Sequence, residues 1–208
     1  VHHCSRELER LGLKPELTRR GAIRAVRRGE VRDGARAIVA HLDTLGAQVK
    51  LIKENGRLEL VPIGHWSARF AEGGRVTIYS EQGGFRGTVL PLKASGHTFN
   101  DGVDTLPVGW DHVELRIDAV TTSKAETLAL GIDVGDFVAF DTNAEFLDNG
   151  YINSRHLDDK AGVAIALAAV EALQRASVRT PVDIHFLFTI AEETGVGAAA
   201  IVTPQIAS

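Results

Sequence analysis

Three short stretches of the sequence carry side chains able to bind a divalent cation: His41-Leu42-Asp43, Asp158-Asp159 and Glu192-Glu193. Mixed imidazole and carboxylate donors suit zinc, cobalt or manganese, and a spare carboxylate beside such a centre can accept a proton. In an extended strand residues two apart face the same way, so His41 can be a ligand with Asp43 near its imidazole to fix the tautomer. Asp158 falls at the head of a helical pattern, where polarised N–H groups keep a carboxylate ionised and able to bridge two cations. Asp159 reads as a support for that turn. Adjacent glutamates leaving a strand point in different directions, so one can bind metal while the other holds a water. Each pair alone is commoner as a capping or surface feature; their order along the chain and their contexts argue for one site.

The elements that must position them are legible in the hydrophobic pattern. Ala35 to His41, bounded by Asp33-Gly34, reads as a buried strand that ends on the histidine. Val182 to Ile190 is a second apolar strand leading to the glutamates, and an alanine-rich helix from about Asp159 to Ala176 precedes it. The Gly195-x-Gly197 turn is expected to open a further helix. Upstream, His2 to Leu13 reads as an amphipathic helix, and Glu16 to Arg19 and Ala22 to Arg27 as short strands.

The texture between these parts is different. Ala47 to Lys53 and Arg57 to Ile63 alternate around Asn55-Gly56, a hairpin signal. Arg75 to Tyr79, Gly87 to Pro91, His112 to Asp118 and Phe137 to Phe140 are further β runs; Ser123 to Leu130 is a short helix with a capping box at Ser123 and Glu126. The expected architecture is an α/β catalytic domain in two parts, 1–60 and 150–208, interrupted by a small β-barrel-like domain at 61–149.

Bulk properties narrow the partners. The chain has 208 residues, 44% hydrophobic and 24% charged, with a net charge of −4 and a pI near 6.1, so no basic field draws it to nucleic acid or an anionic membrane. Arg19, Arg20, Arg24, Arg27, Arg28, Arg32 and Arg36 are a local exception, but no aromatic residues interleave to stack bases, and Gly21, Gly29 and Gly34 break them up as turns between solvated strands would. No apolar run approaches the roughly 18 residues of a membrane span. The single Cys4 excludes an internal disulfide, which fits a reducing cytoplasm. There is no methionine, so Val1 is not an encoded initiator.

The segments Ala40-His41-Leu42-Asp43-Thr44-Leu45-Gly46, Asn149-Gly150-Tyr151, Ser154-Arg155-His156-Leu157-Asp158-Asp159-Lys160-Ala161-Gly162 and Phe188-Thr189-Ile190-Ala191-Glu192-Glu193-Thr194-Gly195 resemble the glutamyl aminopeptidase family of two-metal peptidases, which includes the tetrahedral aminopeptidases. Leu130-Gly131-Ile132-Asp133-Val134-Gly135-Asp136 is similar to a phrase late in that family's inserted domain. The resemblance implies a phosphorylase/hydrolase-like zinc-peptidase fold and two divalent metal ions, zinc first, then cobalt or manganese. It implies that His41 binds one metal, Asp158 bridges, Glu193 binds the other, Glu192 is the general base and Asp43 orients His41. Short peptides are the implied substrates, and a homo-oligomer built on dimers, up to a dodecamer, is the implied assembly.

A subgroup found with biosynthesis of a dipeptide-type osmolyte is also similar, which adds small amides to the expected substrates. Two other functions stay open on the residues: a two-metal deacylase of N-acyl metabolites, and a non-catalytic assembly module. The family takes one more acidic ligand and one more histidine from downstream of the Glu-Glu pair, and nothing after Glu193 here supplies either. His65, His97, His112, His156 and His185 read as structural or solvent-facing, with His156 and His185 the least implausible substitutes. The expectation is therefore a chain truncated at both ends and inactive by itself.

Overall fold

The computed structural model describes residues 1–203 and 206, without the side chains of Arg32 and Ala200. Its elements in chain order begin with helix α1 (His2–Arg10) and strands β1 (Glu16–Leu17), β2 (Ile23–Arg27) and β3 (Val31–His41). Next come β4 (Gly46–Ile52), β5 (Leu58–Ile63), β6 (Arg75–Ser80), β7 (Gly83–Pro91), the short helix α2 (Gly96–Phe99), β8 (Val113–Ile117), α3 (Lys124–Ala129), β9 (Phe137–Phe140), β10 (Glu145–Phe146) and β11 (Ile152–Asn153). Helix α4 (Leu157–Arg175) and strand β12 (Val182–Thr189) follow.

The chain divides into two compact units, Val1–Thr44 with His156–Ser208, and Leu45–Arg155. The division falls earlier than residue 60, because the 46–63 hairpin belongs to the second unit. Its inward residues Ala47, Val49, Ile52, Leu58 and Leu60 are part of that unit's core. Alternation shows that one face of a hairpin is buried, and says nothing of which core buries it.

In the first unit the sheet order is β1-β2-β12-β3, with β12 antiparallel to β2 and parallel to β3. Strand β12 is interior, and both of its faces are covered. Phe186 and Phe188 join Leu8 of α1 and Val163, Ala166 and Val170 of α4 on one side, while Leu187 packs with Ala22 and Ile201 on the other. Val163, Ala166 and Val170 recur at helical spacing, which is how an alanine-rich helix with a weak apolar stripe still docks on a sheet. The arginines do local work here: Arg28 Nη1 donates to buried Asp183 Oδ2 at 2.5 Å and Arg27 Nη2 to the Val178 carbonyl at 2.7 Å. The side chain of Arg32 lies outside the described ones.

The second unit holds a closed six-stranded barrel, order β4-β5-β8-β7-β6-β9, which leaves that sheet no unpaired edge, and a separate two-stranded ribbon, β10-β11. Helix α3 carries the expected capping box: Ser123 Oγ accepts from Glu126 N at 3.3 Å, and Glu126 Oε2 accepts from Ser123 N at 3.0 Å. Glu114, 5% exposed, takes Lys53 Nζ at 2.6 Å and Arg57 Nη1. Burial pushes its carboxyl up, but those two hydrogen-bonded cations outweigh burial and hold it below the ordinary value. Among the described residues no helix is long and apolar enough to cross a membrane.

Candidate metal centre

The parallel pair β3 and β12 brings the site together. His41, the last residue of β3, is in register with Thr189, the last of β12. Side chains just beyond both strands therefore emerge at the same carboxyl edge, the usual location of ligand sites in α/β sheets. The turn after β12 is closed by Gly195 N donating to the Glu192 carbonyl at 2.7 Å, and Gly195 has a φ of +83°, which only glycine adopts without strain. Where a helix is expected to open after Gly195-x-Gly197, the structure has a short 3-10 helix, Ala198–Ala200, with Gly197 at its N-cap.

His41 is 7% exposed and faces acceptors on both ring nitrogens. Nε2 lies 2.9 Å from Asp158 Oδ1 and 3.7 Å from Glu192 Oε2. Nδ1 lies 3.0 Å from the Asp43 carbonyl and 3.5 Å from Asp43 Oδ1. Burial pushes the imidazole pKa down, but the Asp158 hydrogen bond, the Asp43 carbonyl and the nearby carboxylates together raise it. Glu193 is raised by burial first and then by Asp158, Glu192 and Asp43, against the lowering pull of His41. All five sequence-identified residues thus interact within the first unit.

Asp43 acts differently from the expectation. Its backbone carbonyl, not its carboxylate, meets His41 Nδ1 within hydrogen-bond distance. The carboxylate reaches across instead, Oδ2 accepting from Glu193 N at 3.0 Å, while Oδ1 is buried with no hydrogen-bond partner. Asp43 therefore joins the end of β3 to the glutamate turn.

Asp158 and Asp159 have non-helical backbone angles within α4, and the peptide between them is cis. Asp158, its side chain 87% exposed, is thus not a regular first-turn residue resting on helix N–H groups. Asp159 and Lys160 are the neighbours that motif reading undervalued: Asp159 Oδ2 accepts from His41 N at 3.2 Å, and Lys160 Nζ donates to the Leu42 carbonyl. The sequence marks Asp159 as a support for the turn at the helix head, and its Oδ1 does accept from Gly162 N at 3.0 Å; Lys160 carries no such signal. His185 lines a different groove with Lys14, Arg24 and Arg28 and is not drawn to this site.

A cavity of about 330 Å³ is lined by Val39, His41, Asp159, Thr189, Glu192 and Gly197. A larger one of about 600 Å³ on the barrel holds Arg57, Arg116 and Asp118 and no imidazole, so its size does not make it the site. The donor types at the smaller cavity fit divalent cations. A neutral imidazole and a carboxylate both present lone pairs and repel unless a proton or a cation lies between them, and the crowded acidic groups also favour a cation. Among the described residues no three His, Cys, Asp or Glu side chains stand arranged to hold a metal ion. The fit is therefore one of donor chemistry and paired contacts.

A profile of the M42 glutamyl aminopeptidases matches residues 21–208. The chain belongs to that family. It is 38% identical over 171 residues to the "Putative aminopeptidase YhfE" of Bacillus subtilis (strain 168), covering 82% of this chain and 49% of that protein. The TET aminopeptidase of the marine sediment archaeon Thaumarchaeota archaeon SCGC AB-539-E09 superposes with a TM-score of 0.82 at 20% identity, covering 92% of this chain and 52% of that one. The Pyrococcus horikoshii TET1 peptidase, which can assemble into a tetrahedron or a large octahedral shell, gives a TM-score of 0.77 at 24% identity, covering 93% and 56%. At these identities the two structures establish the fold alone: a mixed α/β unit with a six-stranded barrel-like sheet. This M42 chain spans about half the length of the relatives it matches.

Proposed function

We propose that the whole protein is a metal-dependent aminopeptidase that removes the N-terminal residue from short peptides. The observation that carries this is His41 Nε2 facing the carboxylates of Asp158 and Glu192 at the shared end of two parallel strands, in a member of the M42 family. His41, Asp158 and Glu193 are the residues that would hold the divalent cations; zinc suits these donors, as do cobalt and manganese. Catalytic zinc usually keeps three protein ligands, so these donors are part of the set and not the whole of it.

When bound, the metals supply a polarised scissile carbonyl and an acidified water. Glu192 would accept a proton from the attacking water as its oxygen bonds to the carbonyl carbon, and would return it to the leaving amine as the C–N bond breaks. The Asp43 carbonyl holds the proton of His41 on Nδ1 and leaves Nε2 to the metal, while its carboxylate fixes the backbone of Glu193. Assembly of several copies is assigned to the barrel, where Tyr79 and Phe137 are cross-strand neighbours, 56% and 60% exposed.

The test is release of the N-terminal residue from short peptides by the whole protein, before and after chelation. The expected result is loss on chelation and recovery with zinc, cobalt or manganese. Unchanged release after chelation, or preference for N-acylated over free-amine substrates, would overturn the reading.

A further inference from the structure

Asp159 has no role in the chemistry above, yet both of its carboxylate oxygens accept backbone hydrogen bonds. Oδ2 takes His41 N at 3.2 Å and Oδ1 takes Gly162 N at 3.0 Å, tying the last residue of β3 to the first regular turn of α4. The seat for this carboxylate exists only because residue 162 is glycine: a Cβ there would stand 2.1 Å from Oδ1 and 2.7 Å from Cγ of Asp159. Lys160 adds a second tie through the Leu42 carbonyl, so the backbone is held on both sides of the histidine.

These bonds close a loop. From His41 N the path runs through the Asp159 carboxylate, along the chain to Asp158, and through the Asp158 carboxylate back to His41 Nε2 at 2.9 Å. Through this ring the backbone of His41 and the head of α4 are tied together, so the imidazole and the Asp158 carboxylate stand face to face, 2.9 Å apart, whether a proton or a cation fills the gap. We propose that Asp159, seated on Gly162, is a positioning residue that sets the separation of His41 and Asp158 before any cation arrives. The inference rests on reading those two as metal ligands. Its physical content is preorganisation: groups already held in place lose less freedom when the cation binds, and binding is correspondingly tighter.

The experiment uses the whole protein with Gly162→Ala and, separately, Asp159→Asn. Zinc is titrated in competition with a chromophoric chelator, and the metal-free proteins are melted. Both variants are expected to lose zinc affinity on the order of 10- to 100-fold, as lost support around metal ligands typically does. Gly162→Ala is expected to melt within a few degrees of wild type, since alanine's better helix propensity offsets part of the hydrogen bonding that its Cβ displaces. A purely structural role predicts the opposite pairing, with affinity kept and melting lowered. Wild-type zinc affinity in both variants overturns the proposal and leaves His41 and Asp158 as ligands. A wild-type protein that binds no zinc overturns the metal reading itself.

Discussion

Replacing Asp43 separates two ways in which it could serve the site. Its Oδ2 accepts from Glu193 N at 3.0 Å, whereas its Oδ1 is buried without a hydrogen-bond partner, 3.5 Å from His41 Nδ1. In Asp43→Asn the amide oxygen can keep the Glu193 contact while the NH₂ group takes the place of Oδ1. What is lost is a charge contact already too long to be a hydrogen bond, a cost of about 1 kcal/mol. In Asp43→Ala the Glu193 N–H loses its acceptor, at about 1–3 kcal/mol for an unsatisfied, partly buried donor, and the charge contact is lost as well, about 2–4 kcal/mol together. If that free energy is drawn from the metal-bound geometry, Asn should weaken zinc binding about 5-fold and Ala about 30- to 700-fold, at about 1.4 kcal/mol per factor of ten. The assay is chelator competition on the whole protein, with a metal-free melt as a control for folding. Had the carboxylate served chiefly to hold the imidazole tautomer, Asn would do as much harm as Ala, because it places a donor against a donor. Equal loss in the two variants would refute the assignment of Asp43 to the glutamate turn.

Other outcomes follow from single contacts. Glu192→Gln removes the proton acceptor while His41, Asp158 and Glu193 stay, so peptide turnover should fall by at least about 100-fold with zinc stoichiometry kept; parallel loss of both would make Glu192 a ligand. Because the Glu114 carboxyl is held below its ordinary value of 4.5, its pairing stabilises the barrel fully above that value and less as pH falls, until the folded form protonates. Denaturant midpoints of wild type and Glu114→Gln, compared between about pH 6 and about pH 3, should converge toward acid; a constant gap would show that the pairing is not what sets the difference. Ser123→Ala removes the acceptor for Glu126 N and should cost about 1 kcal/mol in barrel stability by the same measurement.

What the sequence disclosed and what it hid divide by the range of the interaction. The capping box at Ser123 and Glu126, the Asn55-Gly56 hairpin and the strand ending on His41 are written in residues a few positions apart, where spacing alone fixes geometry. The convergence of His41, Asp158 and Glu192 was legible because each motif ends or begins an element, and parallel pairing of β3 with β12 aligns such ends without further information. The ring of Asp159, Gly162 and His41 was not legible, since its decisive bond spans 118 positions and its donor is a backbone N–H that any residue but proline would provide. The hairpin's membership in the barrel was hidden for a related reason: inward residues specify burial and not a partner. The role of Asp43 shows the same limit at short range, because period-two spacing correctly put it beside His41, yet which of its oxygens faces the ring depends on a turn 150 residues away. A donor set can therefore be inferred from residue types and element ends, while the bonds that hold it in register have to be read from the folded chain.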